Sequence, residues 1–197
     1  MNEEYDSEEF EEEQAVISHP EFRVTALFGE VNSKNAKDLL ASFLVFKEPD
    51  IEPDTGVEVY QPFDFYISTA GGHASDMFAI YDLMRVVRET TEIRTFGFGK
   101  VMSAGVLLLA AGTKGYRKIG KNCRVMIHSA NSSYYGSVNS AGAQIQEVQQ
   151  LQNMLVDALL KETTMDKQKL DEIMNSGINR YLSAEEALKL GIADIIV

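Results

Sequence analysis

The sequence predicts a single α/β domain, on three observations. From Phe22 onward, short runs rich in β-branched and aromatic residues alternate with amphipathic helical runs, a pattern that neither an all-β nor an all-α chain shows. The strand, glycine turn, helix unit also repeats, through Ala70-Gly71-Gly72 and again through Gly97 to Gly99. Finally, 197 residues with 45% hydrophobic and 24% charged suit one globular unit and leave no room for two of full size. Residues 22–197 are read as that domain, and 1–21 as an acidic, mobile segment ahead of it.

The first strand is Arg23-Val24-Thr25-Ala26-Leu27-Phe28. Asn32 can cap a helix from Ser33, because its side-chain oxygen can accept from a first-turn amide, and Ala36, Leu39, Leu40, Phe43 and Leu44 then fall on one side. Residues 49–62 hold Pro49, Pro53, Pro62 and Gly56 and read as an inserted loop. Asp64 to Thr69 is the next strand, and a helix carries Met77, Ile80, Tyr81, Met84 and Val87 after the double glycine. Ile93 to Phe98 is a strand and Gly99 to Met102 a turn, after which Ser103 opens the apolar helix Ala104 to Ala111. Gly115 to Ile119 and Arg124 to Ile127 read as the two strands of a ribbon about Gly120-Lys121-Asn122. Apolar positions 138, 141, 145, 148, 151, 155, 158 and 159 mark one helix of about 26 residues. Its other faces carry Gln144, Gln146, Gln149, Gln150, Gln152 and Asn153, which suit a subunit contact, with a plain solvated face as the alternative. A short helix follows Asp166, burying Leu170, Ile173 and Met174. Ser183 and Glu186 form a capping box, Gly191 stops that helix, and Ala193 to Val197 is the last strand.

Several function classes drop out. With 18 basic against 30 acidic residues the net charge is −12, and a protein that neutralises phosphates needs the opposite balance, so neither nucleic acid nor an anionic membrane is an expected partner. Glu3, Glu4, Asp6, Glu8, Glu9, Glu11, Glu12 and Glu13 crowd the first thirteen residues, which argues for a solvated tail, with an interaction arm or removable propeptide as the sharper reading. That acidity is the reverse of a secretory or organellar targeting segment, and no apolar run is long enough to span a bilayer, so the cytoplasm is expected. Cys123 stands alone, which excludes an intrachain disulfide and a Cys-rich zinc site. His19, His73 and His128 lack metal-ligand spacing. Gly97-Phe98-Gly99-Lys100 fails as a phosphate loop, since Arg94 and Val101 stand where a glycine and a hydroxyl are needed, and Met102 breaks the dinucleotide fingerprint. No cofactor is expected.

One constellation survives. Ser103 stands between a glycine-rich turn and a helix start, where backbone amides and the helix dipole favour negative charge. Alone, a serine at such a place is more often a helix cap. Gly71-Gly72 and His128 also end strands, and a serine nucleophile needs both a base beside it and amides to receive the developing charge.

Residues 97–130, running from Gly-Phe-Gly-Lys-Val-Met-Ser-Ala-Gly through Arg124-Val125-Met126-Ile127-His128, resemble the active-site segment of the ClpP family, the proteolytic subunits of Clp proteases. Ser68-Thr69-Ala70-Gly71-Gly72 is similar to the family's Ser-Pro-Gly-Gly turn, and Tyr181-Leu182-Ser183-Ala184-Glu185-Glu186-Ala187, with Gly191 and Asp194, to its C-terminal signature. The resemblance implies a crotonase-like repeated ββα spiral with a protruding handle at about 129–162. It implies two stacked rings of seven, a tetradecamer enclosing a chamber, and a AAA+ Clp unfoldase that feeds it unfolded polypeptides. Carried over residue by residue, Ser103 is the nucleophile, His128 the general base, and the Gly72 and Ala104 amides the oxyanion hole. Ala130 to Gly136 becomes the strand that pairs with substrate, and Ser137 to Glu162 the handle helix.

The chain departs from the family where it matters chemically. The family's triad aspartate falls on Asn179, and the arginine before it on Ile178. An asparagine oxygen can orient the imidazole but brings no charge to stabilise the imidazolium, so a slower enzyme is expected. Asp171, inside a predicted helix, and Asp194, matching a family aspartate without catalytic role, are the substitutes to weigh. Ser129-Ala130 replaces Gln-Pro, Ala70 replaces a proline, and residues 49–62 lengthen a loop. The alternatives are a catalytically weak or inactive ring subunit, mixing with active relatives, and an acyl-CoA enzyme of the same architecture.

Overall fold

The computed structural model describes residues 22–131 and 136–197. The acidic segment 1–21 and residues 132–135 of the expected substrate-pairing strand lie outside the described residues.

The α/β reading holds. Among the described residues the elements follow in order: β1 (Val24–Phe28), α1 (Ser33–Phe46), β2 (Asp50–Ile51), β3 (Glu58–Val59), β4 (Phe63–Thr69), α2 (Ala74–Val87), β5 (Ile93–Met102), α3 (Ala104–Ala110), β6 (Arg117–Ile119), β7 (Arg124–Ile127), α4 (Val138–Glu162), α5 (Lys167–Asn175), β8 (Arg180–Leu182), α6 (Ala184–Lys189) and β9 (Ile195–Ile196). A seven-stranded sheet runs β1-β4-β5-β6-β9 with every neighbouring pair parallel, and β7 and β8 branch from β5.

Three expectations need correction. The segment Gly99 to Met102 is strand, not turn, and it makes β5 ten residues long. Nor do β6 and β7 form a ribbon with one another. Thr95 to Gly97 pair in parallel with β6, while Lys100 to Met102 pair in parallel with β7. One long strand thus serves two neighbours in succession, bending between them at Gly99, whose φ of +66° a side chain would resist. Between β4 and β5 the register slips, from Ile67 opposite Gly97 to Thr69 opposite Val101, as in a bulge that re-aims a strand end. Residues 49–62 are not wholly loop, since β2 and β3 pair there as a two-residue hairpin. The strand β8, antiparallel to β7, was not anticipated.

The core lies on one face of the sheet. Along β4 the residues Phe63, Phe65, Ile67 and Thr69 alternate inward, as a period of two requires. Helix α3 is buried on all sides, which is why its apolar pattern has no polar face. Its Leu107, Leu108 and Leu109 are fully buried, each worth about 1.5–3 kcal/mol of transfer free energy. Helix α1 buries Ala36, Leu39, Phe43 and Phe46 but leaves Leu44 and Val45 exposed. On the opposite face Tyr66 stacks on Phe96 with ring centroids 4.6 Å apart.

Helix α4 divides in two. From Ser140 to Leu155 no residue is buried, and Ile145 is 70% exposed, whereas Val156, Ala158 and Leu159 enter the core. Its last residue, Glu162, is only 3% exposed and accepts from both guanidinium nitrogens of Arg88, at 2.9 and 3.0 Å, and from Tyr81 Oη at 3.1 Å. Arg117, also 3% exposed, donates to the Glu162 carbonyl at 2.7 Å and to Asp194 at 2.5 and 2.8 Å. Lys114 reaches the same carbonyl. Burial alone would push the Glu162 carboxyl up, but Arg88, Tyr81 and Lys114 outweigh it and hold it below its ordinary value. Asp194 is likewise held down, burial being overcome by Arg117 and the Gly115 amide. Burial and the Glu162 charge push the Tyr81 phenol up to about 12.

Breaking a buried pair strands the remaining charge, so Glu162→Ala is expected to lower the unfolding free energy by about 3–5 kcal/mol at pH 7, read from the urea midpoint. A carboxylate with a lowered pKa stabilises the fold above the unfolded value of about 4.3, and that stabilisation is lost as the pH falls through the folded value. The difference between the unmodified chain and the variant should therefore narrow progressively below about pH 4.

Candidate active site

Ser103 is held in a conformation that serine avoids. Its φ of 54° and ψ of −121° make it the only residue other than glycine with positive φ among the described residues. Such backbone costs about 1–3 kcal/mol and persists only where the surroundings impose it. Here its N–H donates to the Met126 carbonyl at 2.8 Å, tying the end of β5 to β7. Ser103 does not act as a side-chain cap of α3, which removes the structural reading of a serine at that place.

The double glycine gives the serine its room. A Cβ on Gly71 would fall 2.5 Å from Ser103 Cβ and 3.0 Å from its Oγ, and one on Gly72 would lie 2.0 Å from the Val31 carbonyl oxygen. Val31 pins the turn on both sides: its N–H donates to the Gly71 carbonyl at 2.9 Å, and its own carbonyl accepts from His73 N–H at 2.8 Å. Between these bonds the Gly72 N–H donates to no acceptor among the described residues, and neither does the Ala104 N–H in the first turn of α3. Two uncommitted amides, one at the end of β4 and one after β5, therefore flank the Ser103 hydroxyl.

His128 follows the last residue of β7, and its Nε2 lies 2.8 Å from Ser103 Oγ. The pairing of β7 with β5 brings this about, since Met102 stands opposite Met126 and each functional side chain comes just beyond that rung. The other ring nitrogen, Nδ1, lies 3.3 Å from Nδ2 of Asn131. Ser103, Ala104, Gly72 and His128 line one cleft of about 490 Å³, closed on its far side by Val148, Leu151 and Leu155 of α4.

Asn179 does not line that cleft. The β7–β8 register pairs Ile127 with Arg180, so one further step would set Asn179 against His128, yet the side chain is exposed and makes no hydrogen bond to the imidazole. Ile178 beside it is exposed as well. The two aspartates weighed as substitutes are engaged elsewhere, Asp171 with Lys167 at 3.0 Å and Asp194 with Arg117. Asn131 escaped the sequence reading, and its only signal there is a carboxamide three residues after the histidine. Gln152, read from the sequence only as part of a subunit-contact or solvated face, has its Oε1 accept from Ala130 N–H at 3.0 Å and so moors the segment after the histidine to α4.

Other chemistry has less support. Among the described residues no group of three or more His, Cys, Asp or Glu could hold a metal ion, and no helix is long and apolar enough to cross a membrane. Burial pushes the Cys123 thiol up to about 11, away from nucleophilic use. What the cleft does offer is a hydroxyl already hydrogen-bonded to an imidazole beside free amides, the requirements of acyl transfer through a serine ester.

The family model for Clp protease matches residues 12–197. A protein of Deinococcus radiodurans named ATP-dependent Clp protease proteolytic subunit is 33% identical over 167 residues, covering 85% of this chain and 76% of its own. The proteins of that name from Borreliella afzelii, 30% identical over 89% of this chain and 83% of its own, and from Corynebacterium jeikeium (subunit 2), 31% identical over 88% and 78%, agree. A match that takes in all of the sheet, the glycine turn and both strand ends of the cleft leaves one conclusion: this chain belongs to the Clp protease family.

Proposed function

We propose that this chain is a serine endopeptidase subunit in which Ser103 is the nucleophile and His128 the general base. The observation that carries the reading is the 2.8 Å contact between Ser103 Oγ and His128 Nε2 beside the uncommitted Gly72 and Ala104 amides. His128 Nε2 takes the hydroxyl proton as Oγ bonds to the peptide carbonyl carbon. The carbonyl oxygen becomes an oxyanion held by the two amides, each such donor being worth about 10²–10³ in turnover. Collapse breaks the C–N bond, His128 returns its proton to the leaving amine, and water then releases the acyl group by the same steps.

Residues 22–197 serve as the subunit domain, with the handle at about 129–162. The exposed stretch of α4 from Ser140 to Leu155 is the surface that supports ring-to-ring contact, in two stacked rings of seven enclosing a chamber. Unfolded polypeptides enter from a AAA+ Clp unfoldase that hydrolyses the ATP, in the cytoplasm. Asn179 is the place where the family's third triad group would stand. A second reading has one observation behind it: among the described residues no Asp or Glu lines the cleft, so an imidazolium would form there without a countercharge. That favours a weak or silent subunit in mixed rings.

A fluorophosphonate probe separates the two readings. It is expected to modify Ser103 in the intact oligomer, to leave Ser103→Ala untouched, and to react about 10³-fold more slowly or worse with His128→Ala. Failure to label Ser103 in homomeric and mixed rings alike would sink the enzyme reading and leave the ring-subunit one. Catalysis of an acyl-CoA reaction that survives Ser103→Ala would point to the third class.

Gly72→Ala tests the turn itself. A methyl 2.0 Å from the Val31 oxygen must displace that strand end, so labelling of Ser103 is expected to fall by at least about 10²-fold while the circular dichroism of the sheet and helices persists.

A further inference from the structure

A base must present an unprotonated Nε2 to the serine, which places the ring proton on Nδ1 and calls for an acceptor there. On the peptidase reading of Ser103 and His128, we propose that this acceptor is Asn131, and that its carboxamide is the positioning group for the imidazole.

The surroundings of the ring leave few other choices. Asn131 is the described residue in hydrogen-bond contact with Nδ1, at 3.3 Å. Among the described residues the titratable groups lining the cleft are His73, from the start of α2, and His128 itself. On β8, packed against the histidine's own strand, Tyr181 stands opposite Met126, and Arg180, opposite Ile127, is paired with Glu186 at 3.3 Å. Asp171 and Asp194 are held by Lys167 and Arg117. Asn131 is also well placed to keep its post, because the residue before it is tethered to α4 by the Ala130 N–H bond to Gln152 at 3.0 Å.

A carboxamide does something a carboxylate cannot. With Nδ2 turned to the ring it donates to Nδ1, which forces the proton onto Nε2, and the imidazole then donates to Ser103 and cannot take its proton. A half-turn exchanges Nδ2 for Oδ1 at the same place. Nδ1–H then donates to the amide oxygen, and the Nε2 lone pair faces the hydroxyl at 2.8 Å. The two amide orientations select an idle and a competent pair, with the imidazole proton changing nitrogen through solvent and no other heavy atom moving. Sequence correspondence points to Asn179 for this role; the contacts assign it to Asn131.

The test compares Asn131→Ala, Asn131→Asp and Asn179→Asp in the full-length oligomer, following the rate of fluorophosphonate labelling of Ser103 against pH. Asn131→Ala is expected to slow labelling about tenfold, a part of the roughly 10⁴ that an orienting aspartate is worth in a Ser-His-Asp triad. Asn131→Asp is expected to speed it about tenfold and move the midpoint of the pH profile up by about one unit. The new carboxylate stabilises the imidazolium, and the base works only when neutral. Asn131 substitutions that change neither rate nor midpoint, while Asn179→Asp raises both, would overturn the proposal. A second readout does not depend on activity. In protein carrying ¹³C at histidine Cε1, with Ser103→Ala, the His128 resonance should titrate about one pH unit higher once Asn131→Asp is introduced. That shift in a chain whose Ser103 never labels would retain the positioning role while the peptidase reading fails. Its absence would overturn the positioning role whatever the labelling shows.

Discussion

Keeping Ser103 at a positive φ costs about 1–3 kcal/mol, and nearly every feature of the cleft exists to hold it there. The Met126 carbonyl fixes its N–H from one side. Gly71 has no Cβ to meet it from the other. Val31 braces the double glycine, so that the strand end of β4 cannot retreat. The strain turns the hydroxyl out of the helix-capping position a serine would otherwise adopt, beside an Ala104 amide that donates to no acceptor among the described residues. The same backbone turn thus sets a hydroxyl and an uncommitted amide side by side, the kind of preorganisation that electrostatic catalysis requires.

That arrangement stands on a rigid base because the far end of α4 is locked into the core. Glu162 joins α4 to Arg88 after α2, and Arg117 joins its terminal carbonyl to Asp194 beside β9. Buried charges stabilise little in themselves, since desolvation offsets most of their attraction, but once paired they tolerate only one geometry. Ahead of the locked end, Leu151 and Leu155 pack against the edge of the core, and the earlier turns of the helix are more exposed. The helix reaches the cleft through Leu151, Leu155 and the Gln152 bond to Ala130.

Much of this fold was legible in the residues. The strands β1 and β4, the amphipathic α1 and α2, the wholly apolar α3 and the capping box of α6 follow local rules, and each lies where those rules put it. What misled was pairing. Arg117–Ile119 and Arg124–Ile127, with turn residues between them, look like a hairpin because hairpin signals are local. They part because β5 runs on to Met102 and offers each a separate length of edge. The extension was hidden by Gly97 and Gly99, which read as turn chemistry but here allow a bend within a strand. β8 is three residues long, too short to show a period of its own.

Ser103, Gly71-Gly72 and His128 could be picked out from the chain because each sits at a strand-to-helix boundary or strand end, places that local pattern marks, whereas Ala104 and the choice of Gly72 came from the family resemblance. Composition likewise set the class, one acidic α/β unit with a single cysteine. The partner of His128 could not be read in that way. Spacing from a familiar motif led to Asn179, but whether a side chain meets an imidazole depends on where two strand ends stop and how a loop leaves them. Those are decided by long-range contacts, the short β7–β8 ladder and the tether from Gln152, whose energies appear only when distant segments come together. The tertiary structure therefore decided which carboxamide faces the ring, for the reason that a hydrogen bond is a matter of ångströms and sequence distance carries no such information.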